Sequence, residues 1–598
     1  MSDVKGVEAK PGEPASAAPA PAKPASAEAP AAKPASAEAT ASKPAAEPAK
    51  APAAEPAKTV AKAPEAKPAP APAAAPAAPA PPAPGTVGVR APAPKAPEQG
   101  VSIAISTKAA MAVLGGLVIT ILFLGGMTIF LLMRLNDRNG LAHVTMQLPG
   151  QDGVPTAAVK AAAPEAPVKV EIGKNFKEGL GGKPSGLPGS WPNFRGPKFD
   201  NIVSDVSLAN KWPKPPPVKW TITGLGEGYS GAAVRGGRVY LQDYDTTTKE
   251  ESLRCFSLDD GKEIWRRSYV MKIVNSHGFT RTVPAVTDKY AVCMGAMNHV
   301  QCVDAQTGAL KWGIDLMEEY GTQNMKELWY TAQCPLIDGD TVVLAPCGKD
   351  VLLMGVSLET GKPVWQTPNP DKLQLAHSSI TPMTLNGKKS FVYCAEWGTM
   401  VGISAEKENI GELLWKVKVL DKKVISPSPV ILDDGHVYMT AGYSAGSALL
   451  KVTEQGGKYE AKVLWTLDPL SGMSCEQQTP IYANKHLFCL MPDSSKAKRQ
   501  QLVCMNPYDN GKIVWESGGQ KRFGQYEPIL LADGKIYILD QDCALTMAKL
   551  STEKYEELGR CKLLQGHEAW APIAMAGSLM LLRDNKAMIC IDVGKSIE

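Results

Sequence analysis

Cys302-Val-Asp-Ala-Gln-Thr-Gly-Ala-Leu-Lys-Trp312 decides how this 598-residue chain is read. A short apolar run ends in Asp304, a turn closes at Gly308, and Trp312 stands four residues past that glycine. The spacing recurs in Gly261 with Trp265, Gly361 with Trp365, Gly411 with Trp415, and Gly511 with Trp515. Trp465 keeps the position while its glycines, Gly456 and Gly457, move upstream. The tryptophans at 265, 312, 365, 415, 465 and 515 are 47, 53, 50, 50 and 50 residues apart, the period of a propeller blade or another repeat array.

A second ladder runs in step with the first. Proline closes an apolar or small-residue run at Pro284, Pro335, Pro382, Pro429, Pro480, Pro528 and Pro572. Between the marks lie short β-branched or aromatic runs such as Lys535-Ile-Tyr-Ile-Leu539 and His436-Val-Tyr-Met-Thr440, bounded by Asp-Gly turns at 338–339, 434–435 and 533–534. That pattern predicts four short antiparallel strands per repeat, with no long 3.6-residue periodicity to support a helical array. Six repeats end at the tryptophans, and a degenerate seventh ends near Cys561. The last segment, 569–592, supplies three strands without a closing tryptophan, and Val218-Lys-Trp220 is a closing strand without a blade. Joining them completes an eighth blade from both ends of the domain and removes two open sheet edges. The expected fold is all-β: one closed eight-bladed β-propeller of four-stranded antiparallel blades over residues 191–598.

The motif Ala-x-Asp-x-x-Thr-Gly-x-x-x-Trp, matched by Cys302, Asp304, Thr307, Gly308 and Trp312 with Cys in place of the small Ala, resembles the tryptophan-docking repeat of the pyrroloquinoline quinone (PQQ)-like β-propeller superfamily. Trp191-Pro-Asn-Phe-Arg-Gly-Pro197 also resembles the segment that opens many bacterial, membrane-tethered members. The resemblance implies that each indole packs against the neighbouring blade. It makes Trp220, Trp265, Trp312, Trp365, Trp415, Trp465 and Trp515 structural, each burying ~150–250 Å².

Residues 1–107 are Ala, Pro, Lys and Glu with almost no aromatics, and cannot bury enough apolar surface to offset ordering entropy. They are expected to form a disordered, semi-rigid tail. Lys and Glu nearly cancel there, and the whole chain carries only +4, so neither a nucleic acid nor a strongly acidic partner is implied. Ala109 to Met133 contains no charged residue, and as a helix would span ~37 Å against a ~30 Å hydrocarbon core. It is expected to be a single transmembrane helix, with the lipid bilayer as a partner. Residues 134–190, rich in Gly, Pro, Ala and Lys, are expected to be a flexible linker. Lys95 and Lys108 on one flank balance Arg134 and Arg138 on the other, so charge does not orient the span. The resemblance implies an inner-membrane protein with a cytoplasmic tail and a periplasmic or otherwise extracytoplasmic ring.

The superfamily includes quinoprotein dehydrogenases, which use an adjacent Cys-Cys disulfide, PQQ and Ca²⁺. The twelve cysteines here include no adjacent pair and no Cys-x-x-Cys, so free buried thiols are expected. If Met297 and Asn298 form a turn, Cys293 and Cys302 lie opposite each other, within bonding reach. No Cys-x-x-Cys-His haem site occurs, and the seven histidines show no metal-site spacing. The expected function is a non-catalytic protein-interaction or ligand-binding scaffold in the cell envelope, without cofactor. A dehydrogenase using PQQ and calcium is the alternative. A member that scaffolds outer-membrane β-barrel insertion recruits partners through propeller loops, although the N-terminal lipobox cysteine is absent here. Reading back from each blade proline places Arg281, Tyr330, His377, Glu476, Glu568 and Trp570 near one mouth of the central channel. They are the candidate binding residues, because convergent polar and aromatic groups there suit recognition.

Overall fold

The computed structural model describes residues 169–324 and 329–597. The expected tail, the span Ala109–Met133 and the linker as far as residue 168 lie outside the described residues. Among the described residues, no helix is long and apolar enough to cross a membrane.

Eight sheets form the ring. Blade one comprises Ala233–Arg235, Arg238–Asp245, Glu250–Ser257 and Glu263–Val270, and blade two begins at Ala285–Val286. Blade eight is made of Ala574–Ala576, Leu579–Arg583 and Met588–Asp592, closed by Val218–Ile222 from the start of the domain, with Trp220 opposite Cys590. The innermost strand of blade eight lies beside that of blade one, so the ring is shut without a free radial edge.

Each repeat motif builds one inter-blade joint. Trp265, Trp312, Trp515 and Trp220 face Cys255, Cys302, Cys504 and Cys590 across their outer strand pairs, and a bulge follows at once in each. Four of the twelve cysteines are therefore small apolar residues under an indole. The indole nitrogens of Trp220, Trp265, Trp312, Trp465 and Trp515 donate to carbonyls of Leu258, Gln306, Leu358, Pro507 and Ser551 in the next blade, at 2.8–3.2 Å. The turn glycine of that next blade lies against the ring. A Cβ on Gly308 would stand 2.6 Å from Trp265, and one on Gly361 2.6 Å from Trp312. These glycines combine φ near +70° with the close approach, so no other residue fits without strain.

Blade seven has no docking tryptophan of its own. The register puts Gly559, not Cys561, at that place, opposite Met547. The gap is covered from outside: Trp212 lies 3.3 Å from where a Gly559 Cβ would be, and its ring is 6.2 Å from Tyr537. That separation repeats the Trp265–Tyr240, Trp465–Tyr438 and Trp515–Phe488 pairs, at 6.0, 6.2 and 6.1 Å, each joining a docking indole to the second strand of its own blade.

Two expectations are corrected. Residues 169–190, expected as flexible linker, run along the ring. Asn175–Glu178 adds a fifth antiparallel strand to blade one, and Phe176 lies under the Arg267 guanidinium at 3.9 Å. An unpaired blade edge and an aromatic side chain hold in place what composition alone reads as a spacer. Cys293 and Cys302 do not face each other, because the ladder pairs Cys293 with Gln301 and Cys302 with Val292. The loop is one residue longer than a two-residue turn, which sends the two side chains to opposite faces. All twelve cysteines are free thiols, and eleven of them are buried.

The segment after residue 190 runs against the inner strands of four blades. Trp191 bridges Val234 of blade one, and Pro192 accepts from Val286 of blade two. Arg195, 3 % exposed with φ of +63°, donates to Pro480 of blade six, while Ile202–Val203 runs parallel to Ile529–Ala532 of blade seven. All four contacts are with innermost strands or their first residues. The motif Trp191–Pro197 therefore links blades one, two and six.

Candidate functional site at the channel mouth

The loops that enter the innermost strands form the mouth, and their inner wall is tied blade to blade. Val283 N–H donates to Cys334 Sγ at 3.2 Å, Cys334 N–H to Ser379 Oγ at 2.9 Å, Ser379 N–H to Ser428 Oγ at 3.0 Å, and Ser428 N–H to Thr479 Oγ1 at 2.9 Å. This belt joins blades two to six. Cys334, Ser428 and Thr479 each directly precede a blade proline, and in blade seven the same position holds Glu527.

Above the belt, the six candidates fall into three contact groups on the entry loops. Arg281 Nη1 donates to the Tyr330 carbonyl at 2.9 Å and its guanidinium lies 5.9 Å from the Tyr330 ring, while the Tyr330 hydroxyl donates to Val274 O at 2.7 Å. His377 is 6.3 Å from the Trp329 ring, which stacks on Tyr443 at 6.4 Å. Burial, reinforced by the Arg281 charge, lowers the His377 imidazole to about 3 and keeps it neutral. Glu476 accepts from Tyr443 N–H at 3.1 Å. On the far side, Glu568 accepts from the Tyr229 hydroxyl at 2.8 Å, and Trp570 packs between Tyr229 at 4.6 Å and Tyr526 at 4.9 Å. Gln478 Nε2 spans blades six to eight by donating to Tyr526 O at 2.8 Å and Trp570 O at 3.2 Å.

The acids of this face are not ordinary carboxylates. Burial pushes Glu476 up to about 7 and Glu527 up to about 8. Each has a glycine where a side chain would collide with its carboxyl: Gly442 at 2.0 Å for Glu476 and Gly524 at 2.1 Å for Glu527. Glu396, 3 % exposed, is pushed to about 7 by burial, with Lys423 at 3.9 Å as its partial counter-charge. Beside it Trp397 is half exposed with φ of +62°, a costly backbone state for an indole.

Tyr229, Trp329, Tyr443, Tyr526 and Glu527 belong to the mouth and were not among the candidates. Glu527 had a signal, since it occupies the belt position ahead of Pro528. Tyr443 lies on a hairpin tip between the second and third strands of blade five, and only the fold brings it over Glu476.

These residues do not fit a calcium–quinone pair. No three of His, Cys, Asp and Glu converge among the described residues, and no two cysteines are adjacent in sequence.

The fold and its joints define a class: an eight-bladed propeller locked by docked tryptophans. A family model described as outer membrane protein assembly factor BamB matches residues 217–345 and 249–516, together half of the chain, and the protein belongs to this PQQ-like β-propeller family. Among solved structures it is similar to BamB from Moraxella catarrhalis, at 14 % identity and TM-score 0.40, covering 62 % of this chain and 98 % of that one. It is also similar to a europium-containing methanol dehydrogenase, at 12 % identity and TM-score 0.49, covering 68 % and 90 %. A quinohemoprotein alcohol dehydrogenase from Pseudomonas putida HK5 matches at 12 % identity and TM-score 0.37, covering 68 % and 81 %. No curated protein matches the sequence.

Proposed function

We propose that this protein is a non-catalytic scaffold of the cell envelope, anchored in the inner membrane by Ala109–Met133, with an extracytoplasmic ring that binds a segment of a protein partner at its mouth. The observation that carries the reading is the gathering of aromatic and acidic groups on the entry loops: Arg281 with Tyr330, Trp329 with Tyr443 and Glu476, and Trp570 with Tyr229 and Tyr526. The half-buried Arg281, Tyr443, Tyr526, Glu568 and Trp570 offer rings and charged groups there, which suits recognition of a chain. The family description supports an assembly role, carried over here as part of the proposal.

The test uses the full-length protein in membranes. Partners recovered with the wild type are compared with those of an Arg281→Ala, Trp570→Ala variant whose melting temperature is checked in parallel. Loss of the partners with the fold intact supports the reading, and unchanged recovery overturns it. Incubation with PQQ and Ca²⁺ is the second arm, in which dye reduction with alcohols or sugars would replace the scaffold by a dehydrogenase. Protease digestion of the ring from outside intact spheroplasts tests the orientation.

A further inference from the structure

We propose that Cys475 and Cys489 are a redox-responsive pair that closes to a disulfide and fastens the mouth loop of blade six to the second strand of that blade. Cys475 directly precedes Glu476 in the entry loop, and Cys489 lies in His486–Leu490. The two thiols address the same short stretch of backbone. Cys475 Sγ donates to Gln478 O at 2.6 Å and Cys489 Sγ to Ser474 O at 3.4 Å. Both thiols lie inside one apolar cluster with Met473, Leu487 and Met491, and Cys489 Sγ is thereby set against the backbone of the residue that precedes Cys475. Cys293, by contrast, faces Gln301.

Closure needs a two-electron acceptor, and a small-molecule or protein disulfide supplies it. The Cys475 thiolate attacks one sulfur of the acceptor and releases one thiol. The Cys489 thiolate then attacks the mixed disulfide at Cys475 and releases the second. Two protons leave the cysteines, two thiols form, and one Cys475–Cys489 bond is made. Both sulfurs are at most 1 % exposed, so exchange requires opening of the loop 473–478. That loop is held by the Ser474 hydroxyl on Ala441 O at 2.8 Å and by Cys475 N–H on Thr440 Oγ1 at 3.1 Å. Because Glu476 and Gln478 lie on the same loop, the oxidation state sets how freely the blade-six side of the mouth moves. The pairing itself does not depend on the mouth being a partner site.

The full-length protein is equilibrated with oxidised glutathione, alkylated under denaturing conditions and digested with trypsin, which cuts at Lys485 between the two cysteines. The expected result is peptide 463–485 linked to peptide 486–496, with the other ten cysteines alkylated. A melting temperature raised by about 3 °C, from closing a short loop in a ring of roughly four hundred residues, and restored by dithiothreitol, completes it. Cys489→Ala and Cys475→Ser each abolish the linked peptide and the shift. Recovery of both wild-type peptides fully alkylated, or bonds scattered among several cysteines, overturns the proposal.

Discussion

Trp212→Ala tests whether an indole outside the repeats serves as the missing joint of blade seven. A fully buried tryptophan costs about 3–5 kcal/mol when cut to alanine. Trp212 is only partly buried and its indole nitrogen has no hydrogen-bond partner, unlike that of Trp265, so about 2 kcal/mol is expected for it and about 4 for Trp265→Ala. The loss is local. It loosens the pairing of Ala544–Lys549 with Glu557–Lys562, whose third and fourth strands meet at Met547 and Gly559. Amide hydrogen exchange of that pair should therefore accelerate roughly thirty-fold in Trp212→Ala, with the amides of blade three unchanged. Gly559→Trp combined with Trp212→Ala restores protection, because it returns the indole to the position the other blades use. Unchanged exchange in blade seven, or uniform acceleration around the ring, would refute the assignment.

Gly308→Ala places a methyl 2.6 Å from the Trp265 ring at a φ of +74°, and should cost about 2–4 kcal/mol, read as a lower urea midpoint. Gly339→Ala, with φ of +59° but open space around it, should lose only the conformational part, about 1 kcal/mol. Glu527→Gln tests the buried acid. The folded ring holds this carboxyl near 8, against about 4.3 in an unfolded chain. The stability it allows is fully present below pH 4 and is lost as pH rises toward 8, because the unfolded chain ionises first. The variant should match the wild type at pH 4.5 and exceed it by about 2–4 kcal/mol at pH 8.5, measured by denaturation at both values. A constant difference across the range would place the effect in packing.

The repeat was legible because it is a local device. Gly308 and Trp312, or Gly361 and Trp365, each carry one half of two successive joints, so the same physical demand writes the same letters every fifty residues. The split eighth blade was legible from the two halves it leaves over, and the offset to the blade prolines located the entry loops that carry the six candidates. What stayed hidden depends on contacts made across the ring. Trp212 is one tryptophan among twelve until the strand register exposes Gly559, and Asn175–Glu178 looks like spacer until an open edge is there to receive it. Cys293 and Cys302 show how small the margin is: one extra loop residue moves a side chain to the other face.

The same long-range contacts extend to the mouth. Residues 191–203 bond to the inner strands of blades one, two, six and seven, and Arg195 reaches Pro480, two residues below Gln478. This segment therefore ties the inner strands of blades on both sides of the ring to one another. The cost of that tie is a buried guanidinium, lowered by burial to about 10 and only partly offset by the Asp200 charge. An apolar side chain in place of Arg195 would avoid that desolvation but would leave the Pro480 carbonyl without this donor, at the end of the loop that carries Glu476 and Gln478. The segment and the mouth are thus coupled through blade six. Arg195→Met in the full-length chain should disturb the exchange of amides 474–482 before it affects those of blade three, and equal effects on both would separate the segment from the mouth.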